Sequence, residues 1–414
     1  MRLDLDRAAL SSLLRRPGVR RALACLDQPG AETRLVGGCV RDALLGTASA
    51  DIDLATTLLP DAVMACAART PGLKAVPTGI DHGTVTLVTE DGPIEVTTLR
   101  EDVETDGRHA RVRFGRDFVR DAERRDFTVN ALSLGADGRL HDTVGGLSDL
   151  EAGRVRFIGD PATRIREDAL RILRFFRFHA RFGVGAPDAD ALAACVAARD
   201  ALDRLSRERV RSEFLKLLAA AGGPAMVATL SATGLLQRIT GGVGELGRLE
   251  RAAAAALSPV MRLTALAVGG RHDADRLRDR LRLSKQEHAM LLGYADAVAD
   301  LHGRTTIDAA AVRTLAAEHG LALLSETLAI LTGEPRPRVT DETRQALRSL
   351  DGAGGPPPFP LAGADLVAAG VSPGPAIGRG LAAARRLWLE RGCPIGTEER
   401  AVLLERALES ARAG

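Results

Sequence analysis

Asp51 and Asp53 stand two apart in the run Asp51-Ile52-Asp53-Leu54. On a strand such a pair points to one face. Hard oxygen ligands so placed suit Mg2+, which is usually held by one or two carboxylates together with substrate phosphates. Upstream, Gly37-Gly38 leads into Cys39-Val40-Arg41-Asp42. A glycine pair between a strand and a helix lets the backbone approach a phosphate, and the helix start offers N–H donors. Either half alone is weak, because a lone Asp-x-Asp is more often a solvated loop. Together they point to metal-assisted chemistry on a phosphate. Glu95 is isolated among the apolar-alternating residues 94–98. It reads either as an outward-facing strand glutamate or as a third carboxylate on a neighbouring strand, and the second reading is preferred.

Two further constellations are richer in arginine. Arg124-Arg125-Asp126-Phe127-Thr128-Val129-Asn130-Ala131 could bind the phosphates and ribose of a nucleotide, or equally be a charged turn entering a helix. In residues 164–174, Glu167, Asp168, Arg171 and Arg174 fall at spacings that share one side of a continuous helix. The bland reading is a salt-bridged surface stripe. The sharper one is a planar donor–acceptor pair: Asp168 accepts from an exocyclic amino group while Arg171 donates to a ring nitrogen or carbonyl.

The elements that must position these groups follow from texture. Residues 1–33 read as a helical lead-in with Leu10, Leu13 and Leu14 at helix spacing. Residues 34–158 carry short β-like runs broken by glycine, with a hairpin turn at Glu90-Asp91-Gly92 and a helix from Gly38 ended by Gly46. Beyond about 160, alanine- and leucine-rich stretches dominate. The expectation is an α+β fold: a head with a mixed β-sheet (34–158), a helical neck (159–222), a helical body (223–350), and a linker with a C-terminal helical tail (351–414), the last three elongated and all-α. The linker signal is Asp351-Gly-Ala-Gly-Gly-Pro-Pro-Pro-Phe-Pro360.

Composition narrows the class. With 45% hydrophobic and 27% charged residues over 414 positions, the chain can bury a core, which excludes intrinsic disorder and collagen. Only 3% aromatic residues argue against a broad stacking platform for single-stranded nucleic acid. A net charge of +2 means that a polyanion must meet a local basic surface. The stretch 154–181, where arginines outnumber acids, is the candidate for salt-dependent contact with phosphates. The five cysteines form no Cys-x-x-Cys pair, so neither a disulfide framework nor a cysteine zinc site follows. The start has no apolar core of a signal peptide, and no run of 18 uncharged apolar residues occurs; a reduced, cytoplasmic protein without a membrane partner is expected.

Taken in order, these strings resemble the class II tRNA nucleotidyltransferases, the bacterial CCA-adding enzymes and their poly(A) polymerase relatives. The resemblance spans about residues 35–213. It rests on Leu35-Val-Gly-Gly-Cys-Val-Arg-Asp42, Asp51-Ile-Asp-Leu54, Arg124-Arg-Asp-Phe-Thr-Val-Asn-Ala131, Asp142-Thr-Val-Gly-Gly-Leu-Ser-Asp-Leu150, Glu167-Asp-Ala-Leu-Arg171 and Leu205-Ser-Arg-Glu-Arg209.

The resemblance implies addition of C, C and A to tRNA from CTP and ATP. Asp51 and Asp53 would hold two Mg2+ ions, with Glu95 beside them, and Gly37, Gly38 and Arg41 would bind the triphosphate. Arg124, Arg125 and Asp126, with Asn130, would meet the ribose. Residues 142–150 would be a flexible loop that helps switch the pocket between CTP and ATP. Glu167, Asp168 and Arg171 would read the base, with Arg174 facing the nucleotide. Thr78-Gly-Ile-Asp-His-Gly-Thr-Val85 resembles the CCA-adding pattern rather than the basic string usual in poly(A) polymerases. A-adding or CC-adding relatives stay open, as does a non-catalytic RNA-binding protein on the same head. His272-Asp273 reads as surface. The glycines and prolines of 361–378 could expose backbone N–H groups to an RNA phosphate or form a tight helix–turn–helix.

Overall fold

A computed structural model describes residues 3–47, 49, 51–105 and 110–413. The chain forms two compact units, Met1–Arg238 and Ile239–Gly414. The first carries the strands: β1 (Thr33–Val36), β2 (Ile52–Thr56), β3 (Lys74–Gly79), β4 (Thr84–Thr89), β5 (Gly92–Thr98), β6 (Arg100–Thr105), β7 (Ala110–Phe114), β8 (Ser133–Gly135) and β9 (Leu140–His141). Seven of them build one sheet in the order β3-β4-β5-β2-β1-β8-β9, and β6 with β7 forms a separate ribbon. β2 and β5 run parallel; the other pairs in the large sheet are antiparallel, so the sheet is mixed as expected.

Alternation fixes which residues that sheet shows to its core. Ile52 and Leu54 on β2, and Ile94 and Val96 on β5, are each 3% exposed or less. A one-residue slip would exchange every one of them with its polar neighbour, so burial pins the register. The tight turn at Glu90-Asp91-Gly92 closes β4 onto β5, with Thr89 opposite Gly92. β2 reaches its parallel partner β5 through the crossover helix Pro60–Arg69 and the strands β3 and β4. The lead-in folds as helices Arg7–Arg15 and Pro17–Leu26, which bury Leu10, Leu13 and Val19.

After the sheet the first unit is helical. Pro161–Glu167 and Arg171–Phe182 follow one another, and Arg207–Ala219 packs against the second of them. Phe127, Phe157, Phe175 and Phe178 cluster with ring centroids 4.7 to 6.4 Å apart and anchor the 124–131 turn to that helix. The second unit is helical throughout its described residues. One core gathers Leu301, Val312, Leu324 and Leu328, and another gathers Leu366, Trp388, Leu403 and Ala407. Gly380 lets two tail helices touch, since a Cβ there would lie 2.6 Å from the Ala407 carbonyl oxygen. Of the two readings of 361–378, helix packing accounts for Leu366 and Ile377, both in this tail core. No helix is long and apolar enough to cross a membrane among the described residues.

Candidate active site

The acidic face comes from strand register. Asp53 on β2 lies directly beside Glu95 on β5, and Asp51 precedes β2 by one residue. The alternation that buries Ile52, Leu54, Ile94 and Val96 sends Asp53 and Glu95 to the opposite face. Among the described residues, the carboxylates of Asp51, Asp53 and Glu95 make no hydrogen bond or ion pair. Burial pushes the Asp53 carboxyl above the usual range, the charge of Glu95 adds to this, Arg125 opposes it, and Asp51 reinforces it. Asp53 and Glu95, side by side with Arg125 only partly offsetting their charge, are hard oxygen donors of the kind that hold a divalent cation.

The glycine pair begins the next wall. Gly37 closes β1 with φ +71°, a conformation that favours glycine. A Cβ there would also approach Arg125 Nη1 to 3.0 Å. The helix Gly38–Leu44 then carries Arg41 inward, where it is 4% exposed. Arg41 Nε and Nη2 donate to Asp42 Oδ1 at 2.9 and 2.7 Å, and Nη1 donates to Asn130 Oδ1. Burial lowers the pKa of the Arg41 guanidinium, with Asp42 opposing. The second Asp42 oxygen accepts from Arg181 Nη2 at 3.0 Å.

Two acids organise the arginine turn. Asp121, 3% exposed, accepts from Arg124 Nε at 2.9 Å and Arg125 Nη2 at 3.0 Å. Asp126 accepts from Arg174 Nε at 2.7 Å, and from the Asn130 amide and the Phe127 N–H at 2.9 Å each. Burial alone would raise both carboxyls. Arg125 and Arg124 outweigh it at Asp121, and Arg174 with Asn130 outweighs it at Asp126, so both titrate below the ordinary carboxylate range.

The third wall corrects the expectation of one continuous helix over 164–174. The chain leaves the helix at Asp168 (φ −150°, ψ 106°) and resumes at Arg171. The Asp168 carboxylate explains the break: Oδ1 accepts the Leu170 N–H at 3.1 Å, a local bond that competes with the helix. Oδ2 accepts from Arg209 Nη2 at 2.7 Å. Arg171 Nη1 donates to the Arg164 carbonyl at 2.7 Å and to Glu167 Oε2 at 2.5 Å. Its Nε and Nη2 have no partner among the described residues.

One cavity of about 450 Å³ joins these walls. Gly37, Gly38, Arg41 and Asp53 line one part of it, Arg124, Arg125, Asp126 and Asn130 another, and Asp168, Arg171 and Arg174 the far part. Glu95 lines an adjoining space of about 250 Å³ that shares Asp53, Arg124 and Arg125. Glu167 faces a separate cavity, bordered also by Asp168 and Arg209. Asp51 borders neither of the two spaces that contain Asp53.

Residues 33–156 match the family described as the poly A polymerase head domain, and residues 186–241 match the probable RNA and SrmB-binding site of polymerase A. The mitochondrial CCA tRNA nucleotidyltransferase 1 of Danio rerio is 35% identical over 368 residues, 86% of this chain and 83% of its own. The CCA-adding enzyme of Limosilactobacillus fermentum is 34% identical, over 87% and 90% respectively. The chain belongs to the CCA tRNA nucleotidyltransferase family. A solved structure of the Bacillus stearothermophilus CCA-adding enzyme in complex with CTP superposes with TM-score 0.70 at 27% identity, covering 96% of this chain and all of that one. The Thermotoga maritima CCA-adding enzyme complexed with tRNA shares the fold at TM-score 0.66 and 21% identity, covering 99% and 100%.

Within this nucleotidyltransferase, sequence reasoning missed the acids and arginines that hold the cleft together. Asp121, Arg177 and Glu213 carry no local motif; each is recognised only once folding sets it against its partner. Glu213 takes Arg177 Nε at 2.6 Å, although 36 residues separate them. Two expectations change. Residues 142–150 are a pinned turn and short helix: Asp142 accepts four backbone N–H groups at 2.8–3.3 Å, and Asp149 is fully buried on Thr128, Arg154 and Arg156. The arginine excess of 154–181 is largely cancelled by acids distant in sequence, with Arg174 on Asp126, Arg177 on Glu213 and Arg181 on Asp42. His272 is 84% exposed at its side chain, and Asp273 caps Gly269 and Gly270, as a surface dipeptide would.

Proposed function

We propose that this nucleotidyltransferase adds C, C and A to the 3′ end of tRNA, taking CTP and ATP one at a time without a nucleic-acid template. The observation that carries the reading is the single cavity with Asp53 at one end and Asp168 with Arg171 at the other. Asp51 and Asp53, with Glu95 alongside, would hold Mg2+. When bound, Mg2+ supplies the positive charge that steadies an attacking 3′-hydroxyl and a departing pyrophosphate. The Gly37-Gly38 backbone leaves room for the triphosphate, and Arg124 and Arg125 face the ribose and phosphates from pre-paired positions.

Base choice follows from atoms. Each Asp168 oxygen keeps a lone pair after its protein bond, and Arg171 keeps Nε and Nη2. Cytosine and adenine both present an amino group beside a ring nitrogen, which satisfies the pair. Uracil and guanine place a carbonyl where the carboxylate needs a donor, leaving buried polar groups unpaired at about 1–3 kcal/mol each. The acceptor stem of tRNA would be recognised by shape and backbone.

The test supplies purified protein and Mg2+ with tRNA ending at the discriminator base, at -C and at -CC, and labelled CTP or ATP singly and together. CTP addition to the first two and ATP addition only after -CC is the expected pattern. ATP addition alone, or a stop after two cytidines, would reassign the chain to a partial activity. tRNA binding with no incorporation would overturn the enzymatic reading.

A further inference from the structure

Arg164 lies outside the lining of the nucleotide cavity, yet it touches three of the residues that line it, and Glu167 beside them. Its Nη2 donates to the backbone carbonyls of both Arg124 and Arg125, and its Nη1 pairs with Glu167 Oε2 at 2.8 Å. Its own carbonyl accepts from Arg171 Nη1 at 2.7 Å. The side chain is 11% exposed, and its Nε is buried without a hydrogen-bond partner. A buried donor left unpaired is a cost that folds usually avoid, and here it accompanies a fork aimed at two carbonyls at once.

We infer that Arg164 is a positioning residue whose side chain ties Glu167, and through it the base-reading Arg171, to the arginine turn, so that one side chain sets base choice and sugar–phosphate grip together. The inference rests on the nucleotide reading of the cleft proposed above. The geometry is specific to arginine. Only a planar guanidinium can span two adjacent carbonyls with one nitrogen and a carboxylate with the other; a lysine ammonium is a point charge on a flexible stem. Without the fork, the Arg124–Arg125 backbone and the Glu167–Arg171 pair are no longer held by a common group, and each is free to move relative to the other. Displacement by about 1 Å of groups that orient a reactant costs about 100-fold in rate.

The distinguishing consequence is correlated loss. Asp168→Asn alters base choice alone, because it changes an acceptor without touching the arginine turn. Arg164→Lys alters base choice and sugar choice in the same variant. The experiment measures kcat/KM for CTP, UTP and 2′-deoxy-CTP on tRNA ending at the discriminator base, in wild type, Arg164→Lys and Asp168→Asn. For Arg164→Lys the expected result is a fall of about 30-fold with CTP, with the CTP:UTP and CTP:deoxy-CTP ratios both shrinking several-fold. A thermal melt of each variant establishes the folded fraction. Arg164→Gln is the second variant; it can still reach one carbonyl and is expected to shrink both ratios further.

If Arg164 served only the fold, all three nucleotides would lose rate by one common factor and both ratios would stay at their wild-type values, which would overturn the inference. A change in one ratio alone would also overturn it. Failure of the wild type to incorporate CTP would instead strike the proposed function, so the two failures are distinguishable.

Discussion

The two ends of the cleft are built on opposite electrostatic plans. At the strand end, Asp53 lies beside Glu95 with no hydrogen bond to either carboxylate among the described residues, and burial with the charges of Glu95 and Asp51 raises the Asp53 carboxyl against the pull of Arg125. Around the rest of the cleft most charges are already paired: Arg41 with Asp42, Arg124 and Arg125 with Asp121, Arg174 with Asp126, Arg177 with Glu213. The first end holds repulsion in reserve for an incoming cation. The second spends its charge in advance on orientation, which under the proposed function leaves its remaining donors preset for a nucleotide.

The largest effect separating the ends is on activity. Asp53→Asn is expected to lower nucleotide incorporation by at least about 1,000-fold, about 4 kcal/mol of transition-state stabilisation, in a single-turnover assay. The same variant should melt at a higher temperature than wild type at neutral pH, because it removes a carboxylate that the fold disfavours. An unchanged or lower midpoint would show that the strand end is not held in repulsion.

Removing an acid at the paired end has the reverse signature. Asp126→Ala strands Arg174 and is expected to destabilise the head by about 3 kcal/mol, toward the low end for a broken buried pair because Glu213 lies 3.8 Å from Arg174. Urea unfolding with a probe in the head reads this directly.

Acid titration sharpens the contrast. Asp121 and Asp126 have lowered values in the fold, so their ionised forms stabilise it fully above the unfolded carboxylate value of about 4. That stabilisation is lost as pH falls through the lowered folded values. Asp53 runs the other way: its ionisation costs stability above its raised folded value, and the cost vanishes as pH falls to about 4. The gap in melting midpoint between wild type and Asp53→Asn should therefore close on acidification. A gap that stays constant to pH 3 would contradict the assignment.

The smallest effect is at the hinge between the ends. Gly37→Ala forces a side chain into a positive-φ conformation (φ +71°, ψ −123°) that glycine alone adopts readily, at about 1–3 kcal/mol, and against Arg125. A modest loss of stability is expected together with weaker nucleotide binding, measured by calorimetry.

How far the sequence could be read follows the same division. The shared face of Asp53 and Glu95 was legible because period-two alternation announces which face a strand residue takes, and the parallel pairing of β2 with β5 then sets the two side by side. The Gly37-Gly38 turn was legible because few residues other than glycine serve there. The paired end was legible only as a set of candidates. Nothing local to Arg174 names Asp126, 48 residues away, as its partner. Helix periodicity over 164–174 failed at Asp168, where a side-chain bond to Leu170 N–H competed with the backbone ladder. How far the arginines of 154–181 are paired was hidden for the same reason, since Asp126, Glu213 and Asp42 lie on other elements.

The pairing of Asp53 with Glu95 also bears on the order in which the head can assemble. The two residues are far apart along the chain, and between their strands lie the crossover helix Pro60–Arg69 and the strands β3 and β4. Parallel pairing of this kind must meet its loop-closure cost before any contact compensates. A ribosome-bound chain that ends before β5 therefore has Asp51 and Asp53 but no third carboxylate. The acidic face is completed by the closing of a strand rather than by the local folding of a motif.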